Sequence, residues 1–167
     1  KITKKGIKTK KGEYILDKII FATGFDALTG SILKLNIIGK KNIHLSKFWS
    51  KGPKSFLGLL VPNFPNLFIV SGPGSPSVLT NVPVQIEQHV KWITNCIKYL
   101  EKNRKKSIET TNLAAKKWQK EIMNSVKKTL FMKAKSSWYK GDNIPGKPKT
   151  FLPYPGGMPK YKSECIK

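Results

Sequence analysis

The apolar positions along the chain first indicate two short strands. Residues 19–22 form a continuous apolar run that ends close to Gly24, and such a run is typical of a strand buried on both faces of a sheet. A second run, residues 66–70, lies between Pro65 and the glycine- and proline-rich stretch 71–76. Both runs therefore predict buried strands.

Two longer segments predict amphipathic helices. In residues 84–100 most apolar side chains recur at spacings of three or four, as on one face of a helix. Asn81 is a suitable N-cap, and Pro83 suits the first helical position. Residues 112–130, which follow two threonines, repeat apolar positions at intervals of four or five, so we expect a second helix there. The apolar residues on the two faces are Val84, Ile86, Val90, Ile93, Ile97 and Leu100, and Leu113, Trp118, Ile122, Val126 and Leu130.

The order of these elements indicates an α/β fold. A strand, a loop rich in glycine and proline and then a long helix together place a ligand at the carboxyl end of the strand. The backbone of residues 81–84 would present free N–H groups and the positive end of the helix dipole to an electron-rich or anionic group. A helix start that faces water is an equally good interpretation of the pattern. We expect an exposed hairpin over residues 1–14, loops and short elements over 25–65, and an ordered, irregular tail from Lys135.

The net charge of +23 raises the question of a nucleic-acid partner. Of the 32 basic residues only Arg104 is arginine, whereas base and phosphate recognition favours the bidentate guanidinium. The lysines are dispersed along the chain, and isoleucine and asparagine are abundant beside them. We therefore interpret the charge as a solvated, lysine-rich surface, and nucleic acid is not the expected partner.

Several common sites and locations find no support in the sequence. No apolar run is long enough to cross a membrane and no signal peptide opens the chain, so we expect no membrane partner and a cytoplasmic location. Cys96 and Cys165 are too few for a disulfide framework, and with His44 and His89 they lack metal-ligand spacing, so no metal is predicted. The loop at 71–76 lacks the third glycine of a dinucleotide fingerprint, and neither a phosphate-binding P-loop nor a nucleophile elbow occurs.

Trp138 is a candidate ligand contact in the tail. It lies within residues 135–147, a loop with turn residues on its far side. Its flat ring and single N–H donor suit a ribose or another ring. An anchor for the irregular tail is the competing interpretation, and composition alone favours it. From the residues by themselves, the chain is part of an α/β ligand-binding protein.

Several motifs resemble those of two-domain flavoprotein monooxygenases. Residues 20–26, Ile-Phe-Ala-Thr-Gly-Phe-Asp, resemble the ATG-type strand at which these chains pass between their NADP-binding and FAD-binding domains. The other matching segments, in chain order, are residues 49–58, 64–68, 72–73, 80–83, 86–90, 137–147 and 154–157. The last two resemble the C-terminal signature of Baeyer–Villiger monooxygenases. Since order and spacing hold from about Tyr14 to Tyr161, the chain is identified as the C-terminal third of a member of this family, of the cyclohexanone or phenylacetone type.

The resemblance implies an incomplete FAD/NAD(P)-binding flavoprotein fold of two dinucleotide domains, with an irregular C-terminal tail. Residues 1–26 would be the end of the NADP-binding domain and the crossover strand. Residues 27–134 would be the C-terminal part of the FAD-binding domain. Residues 135–167 would wrap around the molecule and close over NADP.

The resemblance also assigns residues to ligands. The start of the long helix would face the flavin ring, with the Val82 N–H near its pyrimidine edge, where it would stabilise negative charge. Trp138 would hydrogen-bond the NADP ribose when the tail loop closes, which would be the gating step. The residues implied at FAD are Asn81, Val82 and Pro83, and those implied at the substrate are Ser77, Val78, Leu79, Thr80 and Phe151.

The implied reaction uses NADPH to reduce FAD, after which O2 gives a flavin C4a-peroxide that inserts oxygen next to a ketone carbonyl and yields an ester or lactone. Neither GxGxxG loop, nor the FxGxxxHxxxW signature, nor the active-site arginine of the family occurs here, so no catalytic residue is assigned. We expect the chain to be inactive alone and to need the missing N-terminal part of the same polypeptide. Two alternatives stay open: oxidation of amine nitrogen or sulfide sulfur by the same flavin chemistry, and a non-catalytic basic relic that binds nucleic acid.

Overall fold

The computed structural model describes residues 1–22, 24–127, 129–134 and 136–166, and combines helices with one small sheet. The strands are β1 (Ile2–Thr3), β2 (Gly6–Thr9) and β3 (Gly12–Ile15). The α-helices are α1 (Gly30–Leu33), α2 (Leu45–Phe48), α3 (Val82–Lys102), α4 (Asn112–Val126) and α5 (Met158–Ile166). Short 3₁₀ helices cover Lys40–Asn42, Ser77–Leu79, Leu130–Lys133 and Trp138–Lys140. The mixed helix-and-sheet character expected from the sequence is confirmed.

The predicted N-terminal hairpin is a three-stranded antiparallel meander in the order β1-β2-β3. Ile7 pairs with Tyr14, and Gly6 pairs with Ile15. Gly6 has φ of +154°, and a Cβ on it would lie 1.9 Å from the Tyr14 carbonyl oxygen. The close approach of the two strands therefore requires glycine at this position.

The two predicted helices form, and local side chains cap their first turns. The Asn81 side chain accepts a hydrogen bond from the Val84 N–H at 3.2 Å at the start of α3. Thr111 does the same for the Ala114 N–H at 3.1 Å at the start of α4. Such caps satisfy N–H groups that have no partner within the helix.

Helix α4 ends four residues before the predicted boundary at Leu130. The Thr129 hydroxyl and the Thr129 N–H both donate to the carbonyl oxygen of Val126, at 2.7 and 2.9 Å. This turn closes the helix, and a 3₁₀ helix follows it. The prediction missed the boundary because Leu130 continues the apolar spacing while its side chain is exposed.

The apolar face of α3 is only partly buried. Ile86, Val90 and Ile97 are exposed, whereas Gln85 and His89 are completely buried. The buried side of α3 packs on the loop 71–76, whose polar atoms need hydrogen-bond partners. A polar face therefore lies inside, and part of the apolar face is left at the surface.

The two predicted buried strands are wrong as elements of this structure. Residues 19–22 belong to no strand, and Ile20 and Phe21 are 89% and 69% exposed. Residues 66–70 contribute only an isolated bridge between Leu60 and Phe68. A strand buried on both faces needs hydrogen-bonded neighbours, and none of the described strands pairs with residues 19–22. The predicted α/β sheet is consequently not formed in the described part of the chain.

The hydrophobic core brings the irregular tail back onto α4. Trp118, Ile122 and Val126 of α4 form one buried cluster with Tyr154 and Tyr161 of the tail. The rings of Trp118 and Tyr154 stack with centroids 4.8 Å apart. A second buried cluster comprises Leu45, Trp49, Val61 and Phe64. The ordered, irregular tail expected from the sequence is confirmed, because its rings complete the larger cluster. No helix in the described ranges is long and apolar enough to cross a membrane.

Truncation of α4 tests the importance of this cluster. The Ile122→Ala variant should lower the free energy of unfolding by about 3 kcal/mol, because it leaves a cavity beneath α4. Leu113 lies on the same helix but is exposed, so Leu113→Ala serves as the control and should change it by less than about 0.5 kcal/mol. Chemical denaturation followed by circular dichroism measures both. Equal effects in the two variants would contradict the assignment of the core.

Candidate functional site

The loop 71–76 is held in the interior by side chains and main-chain groups from three other segments. The Trp118 indole N–H donates to the Gly74 carbonyl oxygen at 2.9 Å. The Gly74 N–H donates to the Leu152 carbonyl oxygen at 2.6 Å. The Ser55 hydroxyl donates to the Pro73 carbonyl oxygen. These bonds fix the path of the chain immediately before α3.

Glycine is required where this loop contacts its supports. Gly74 has φ of +93°, and a Cβ on it would lie 2.8 Å from the Ser55 hydroxyl oxygen and 3.2 Å from the Trp118 indole nitrogen. A Cβ on Gly72 would lie 2.5 Å from the Gly58 carbonyl oxygen. The loop therefore packs against its neighbours at backbone distance, which leaves it little freedom to move.

The capping residue of α3 leaves one N–H of the first turn without a bond to it. The Asn81 side-chain oxygen accepts a hydrogen bond from the Val84 N–H, and the Asn81 carbonyl oxygen accepts one from the Gln85 N–H at 3.1 Å. Pro83 has no N–H. Of the first four helical residues, only Val82 thus keeps an N–H that the capping residue does not use. It lies at the positive end of a 21-residue helix, where an electron-rich group is stabilised.

Gln85 ties α3 to the loop. Its amide nitrogen donates to the Ser71 hydroxyl oxygen at 3.0 Å and to the Ser75 hydroxyl oxygen at 3.3 Å. Its amide oxygen is buried and has no hydrogen-bond partner among the described residues. A buried amide oxygen of this kind is an available acceptor beside the helix start.

His89 connects the same loop to the C-terminal helix. Its Nδ1 accepts the Ser71 N–H at 3.1 Å, so its Nε2 carries the proton and donates to the Tyr161 hydroxyl oxygen, 2.8 Å away. The Tyr161 hydroxyl then donates to the Leu57 carbonyl oxygen at 2.6 Å. Burial lowers the pKa of His89 from 6.5 to about 4, and burial also raises the pKa of Tyr161. Both groups are therefore neutral near pH 7.

The tail loop that carries Trp138 is organised by Asp142. This carboxylate accepts the Ser137 N–H at 2.6 Å and pairs with the Lys140 ammonium at 2.9 Å. The hydrogen bond from the Ser137 backbone, followed by that from Lys140, lowers the pKa of Asp142. Gly141 adopts the left-handed conformation and closes the 3₁₀ turn over Trp138–Lys140. The loop thus has a defined shape of its own.

The residues predicted at FAD and most of those predicted at the substrate are consecutive in the structure. Ser77 is buried, Thr80 is extended, and Leu79 packs on the larger hydrophobic cluster. They lead directly into Asn81 and the first turn of α3. Val78 was also predicted at the substrate, and its side chain lies outside the part of the chain that the structure describes.

Trp138 and Phe151 meet the same aromatic side chain. Trp138 is half-buried, and the centroid of its ring lies 4.2 Å from the centroid of the Tyr139 ring. Phe151 is buried in the core, with its ring 6.3 Å from that of Tyr139 and 5.9 Å from that of Phe131. The ligand roles expected for Trp138 and Phe151 stay predictions.

Sequence reasoning missed the residues that support the site. Gln85, His89, Trp118 and Tyr161 fix the loop before α3, yet none was a candidate for that role. Gln85 and His89 are separated by four positions, which places both on one helix face. That pair of polar residues beside a glycine-rich loop was the available signal. Among the described residues no three His, Cys, Asp or Glu side chains are grouped as metal ligands.

Known proteins resemble the chain along nearly its whole length. No family model matches it. It is 42% identical over 163 residues to a cyclohexanone 1,2-monooxygenase of Acinetobacter sp, an alignment that covers 97% of this chain and 30% of the relative. It is 38% identical over 164 residues to a cyclopentanone 1,2-monooxygenase of Comamonas sp., which covers 98% and 30%. It is 37% identical over 164 residues to a phenazine N-monooxygenase of Lysobacter antibioticus, which covers 98% and 30%. The chain thus spans less than a third of the length of these relatives.

Solved structures give the same result. The chain superposes on a closed crystal structure of cyclohexanone monooxygenase with a TM-score of 0.91 at 40% identity, over 99% of this chain and 31% of that one. It superposes on OTEMO, in complex with FAD and NADP, with a TM-score of 0.88 at 35% identity, over 99% and 30%. The resemblance to Baeyer–Villiger monooxygenases that the motifs indicated is confirmed.

The neutral state of buried His89 predicts a loss of stability in acid. Because the folded pKa of His89 is about 4 and the unfolded value about 6.5, the unfolded chain binds the extra proton between these pH values. Stability should therefore fall from pH 6.5 to pH 4, by up to about 3 kcal/mol from this residue. Denaturant titrations of the wild type and of His89→Asn at both pH values measure the effect.

The exposed residue Leu113 carries no titratable group and provides the control. Leu113→Ala should keep the wild-type pH dependence, whereas His89→Asn should lose most of the part that arises below pH 6.5. A His89→Asn protein with the full wild-type pH dependence would contradict the assignment of a buried neutral imidazole.

Proposed function

We propose that this chain, which is homologous along nearly its whole length to a segment of Baeyer–Villiger monooxygenases, forms one edge of the flavin site and the NADP-covering loop of an FAD- and NADPH-dependent monooxygenase. The enzyme uses O2 to convert a ketone into an ester or lactone. In this proposal, residues 1–26 are the end of the NADP-binding domain with the crossover strand. Residues 27–134 are the C-terminal part of the FAD-binding domain. Residues 135–167 are the closing tail. The immobilised start of α3 carries the proposal.

The residues at the start of α3 fit an isoalloxazine edge. Asn81, Val82 and Pro83 would hold it, with the Val82 N–H aimed at an electron-rich atom and the helix dipole favouring negative charge there. The Gln85 amide oxygen, which has no hydrogen-bond partner among the described residues, would be an acceptor for a ring N–H. The flavin supplies redox chemistry with oxygen that no side chain of this protein can supply. The protein's part is to hold the ring in place and to exclude water.

The tail loop fits a nicotinamide cofactor at its ribose. Trp138 offers an indole N–H and a flat ring on a loop that Asp142 has already shaped. The similarity to a closed cyclohexanone monooxygenase supports a loop in the covering position. Closure over NADP then separates the reaction from solvent.

The substrate contacts are proposed from the same segment. Ser77, Val78, Leu79 and Thr80 precede the flavin-facing turn, so their side chains would border a ketone held beside the ring. Phe151 joins Leu79 in the larger hydrophobic cluster and would close the apolar side of that space. An apolar lining suits a cyclic ketone.

An exposed apolar surface supports a partner that covers residues 15–25. Ile15, Ile20, Phe21 and Phe25 all have large side chains that are mostly exposed. Large exposed apolar patches mark interaction sites. The preceding two-thirds of a monooxygenase polypeptide is the proposed cover, with residues 19–22 adding a strand to its sheet. A nucleic-acid-binding module that acts alone would have no need for residues 19–22 to pair with a strand of another segment.

Complementation tests the proposed function. The 167-residue chain should copurify with the part of the Acinetobacter cyclohexanone monooxygenase that precedes its aligned segment, retain yellow flavin, and oxidise cyclohexanone with NADPH, while the chain alone shows neither property. Trimethylamine and dimethyl sulfide as substrates test the alternative reactions. Faster oxidation of either one than of the ketone would overturn the Baeyer–Villiger assignment.

The interface is tested by two matched substitutions. Ile20→Asp should reduce copurification about tenfold or more, because a charge in a buried strand opposes its insertion. Ile166 is 85% exposed, close to the 89% of Ile20, and lies on α5. Ile166→Asp should leave copurification unchanged. Equal loss in both variants would argue against residues 19–22 as the covered surface.

The role of the Val82 N–H is tested without disturbing the helix. Val82→Pro removes this donor at a position where proline is accepted. In the complemented enzyme we expect kcat to fall by about tenfold or more, as for other single donors to developing charge. Val82→Ala retains the N–H and should keep most of the activity. Stopped-flow absorbance and circular dichroism measure flavin reactivity and helix content. Equal rates for the two variants would remove Val82 from the flavin site.

A further inference from the structure

The loop from Ser137 to Pro148 is shaped by contacts among its own residues. Asp142 bridges the Ser137 N–H and the Lys140 ammonium. The stem of Lys147 lies across Gly141, where a Cβ would come within 3.4 Å of the Lys147 Cε. The two ends of the loop are thereby held together. Any change in its position must be taken up by its contacts with the rest of the chain.

One cluster of contacts joins this loop to the segment 24–27, more than a hundred residues earlier. The Lys147 ammonium pairs with the Asp26 carboxylate and also donates to the Ala27 carbonyl oxygen at 3.3 Å. The Asn143 amide donates to the Phe25 carbonyl oxygen at 3.3 Å. The Lys147 side chain is 10% exposed and that of Asp26 is 35% exposed. The ion pair is thus partly shielded from water.

Asp26 is itself fixed by the elements that follow it. Its carboxylate accepts the hydroxyl of the buried Thr29 at 3.3 Å, and its carbonyl oxygen accepts the Gly30 N–H at 3.2 Å at the start of α1. Asp26 is therefore held by its own segment as well as by Lys147. Lys147 reaches Asp26 from the tail loop through a long, flexible side chain, so the ion pair can break without a change in either segment.

We propose that the Asp26–Lys147 ion pair is an electrostatic latch that fastens the Trp138-bearing loop to the segment 24–27. With the pair formed, the loop lies against the beginning of the chain. With the pair broken, the loop keeps the Asn143 contact with Phe25, the backbone hydrogen bonds from Thr150 and Leu152, and the packing of Tyr139 on Phe131. Since about a third of the Asp26 side chain is still exposed, added salt should weaken the attraction and lower the fraction of molecules that are latched. The latch belongs to the polypeptide and operates without any bound cofactor.

Hydrogen exchange on the 167-residue chain tests the latch. Lys147→Met keeps the stem over Gly141 and removes only the charge. We expect amide exchange in residues 137–148 to become about fivefold faster, as for the loss of a modest partly buried ion pair. Lys147→Arg keeps the charge and should restore slow exchange. Lys149 is exposed two residues further on, so Lys149→Met is the matched control and should behave as the wild type.

Two further readouts separate a latch from general structural damage. Exchange in α4 should be the same in every variant, which reports that the core is intact. Raising NaCl from about 0.05 M to about 1 M should speed loop exchange in the wild type and leave Lys147→Met unchanged. Wild-type exchange in Lys147→Met, failure of arginine to rescue, or the same salt response in both proteins would each overturn the proposal. Loss of flavin binding in the complementation experiment with these exchange results intact would overturn the proposed function alone.

Discussion

The main chain of residues 71–76 crosses the interior without regular secondary structure, and its polar groups must find partners there. Two prolines reduce the number of N–H groups that need acceptors. The Leu152 carbonyl oxygen accepts the Gly74 N–H, and Ser55 and Trp118 donate to the carbonyl oxygens of the loop. These hydrogen bonds also determine where α3 lies, because its first turn begins only a few residues after this loop. Everything proposed for the flavin depends on that fixed start.

The scarcity of acidic residues gives the few that exist a structural use. The protein has 9 acidic residues against 32 basic ones. Three of its ion pairs join segments far apart in sequence: Lys40 with Glu109, Lys147 with Asp26, and Lys160 with Glu121. With so large a basic excess, each carboxylate also reduces repulsion where two segments meet. The charge of +23 is compatible with a folded protein in which carboxylates are placed at tertiary contacts.

Local signals could be predicted from the sequence, and signals that depend on neighbours could not. Asn81 and Thr111 mark the helix starts correctly because a cap acts within three residues. Residues 19–22 have the composition of a buried strand, but a strand exists only when another strand pairs with it. The inward face of α3 does not follow the apolar spacing, because Gln85 and His89 bind a loop whose burial no periodicity reports. The motifs of the family identified the relatives, and they did so without revealing which side chains hold the site in place.

The anchoring of residues 71–76 also limits how this segment can vary in sequence. Its polar atoms are bound by residues of α3, α4, the 55–58 turn and the tail, so a substitution in the loop alters several contacts at once. Changes at Ser71 and His89, or at Gly74 and Trp118, should then be strongly non-additive in their effects on stability. A compensating replacement has to arise in a different segment from the first change. The loop and its supports are consequently expected to diverge as a coupled set, whereas exposed positions such as Lys149 can drift one at a time.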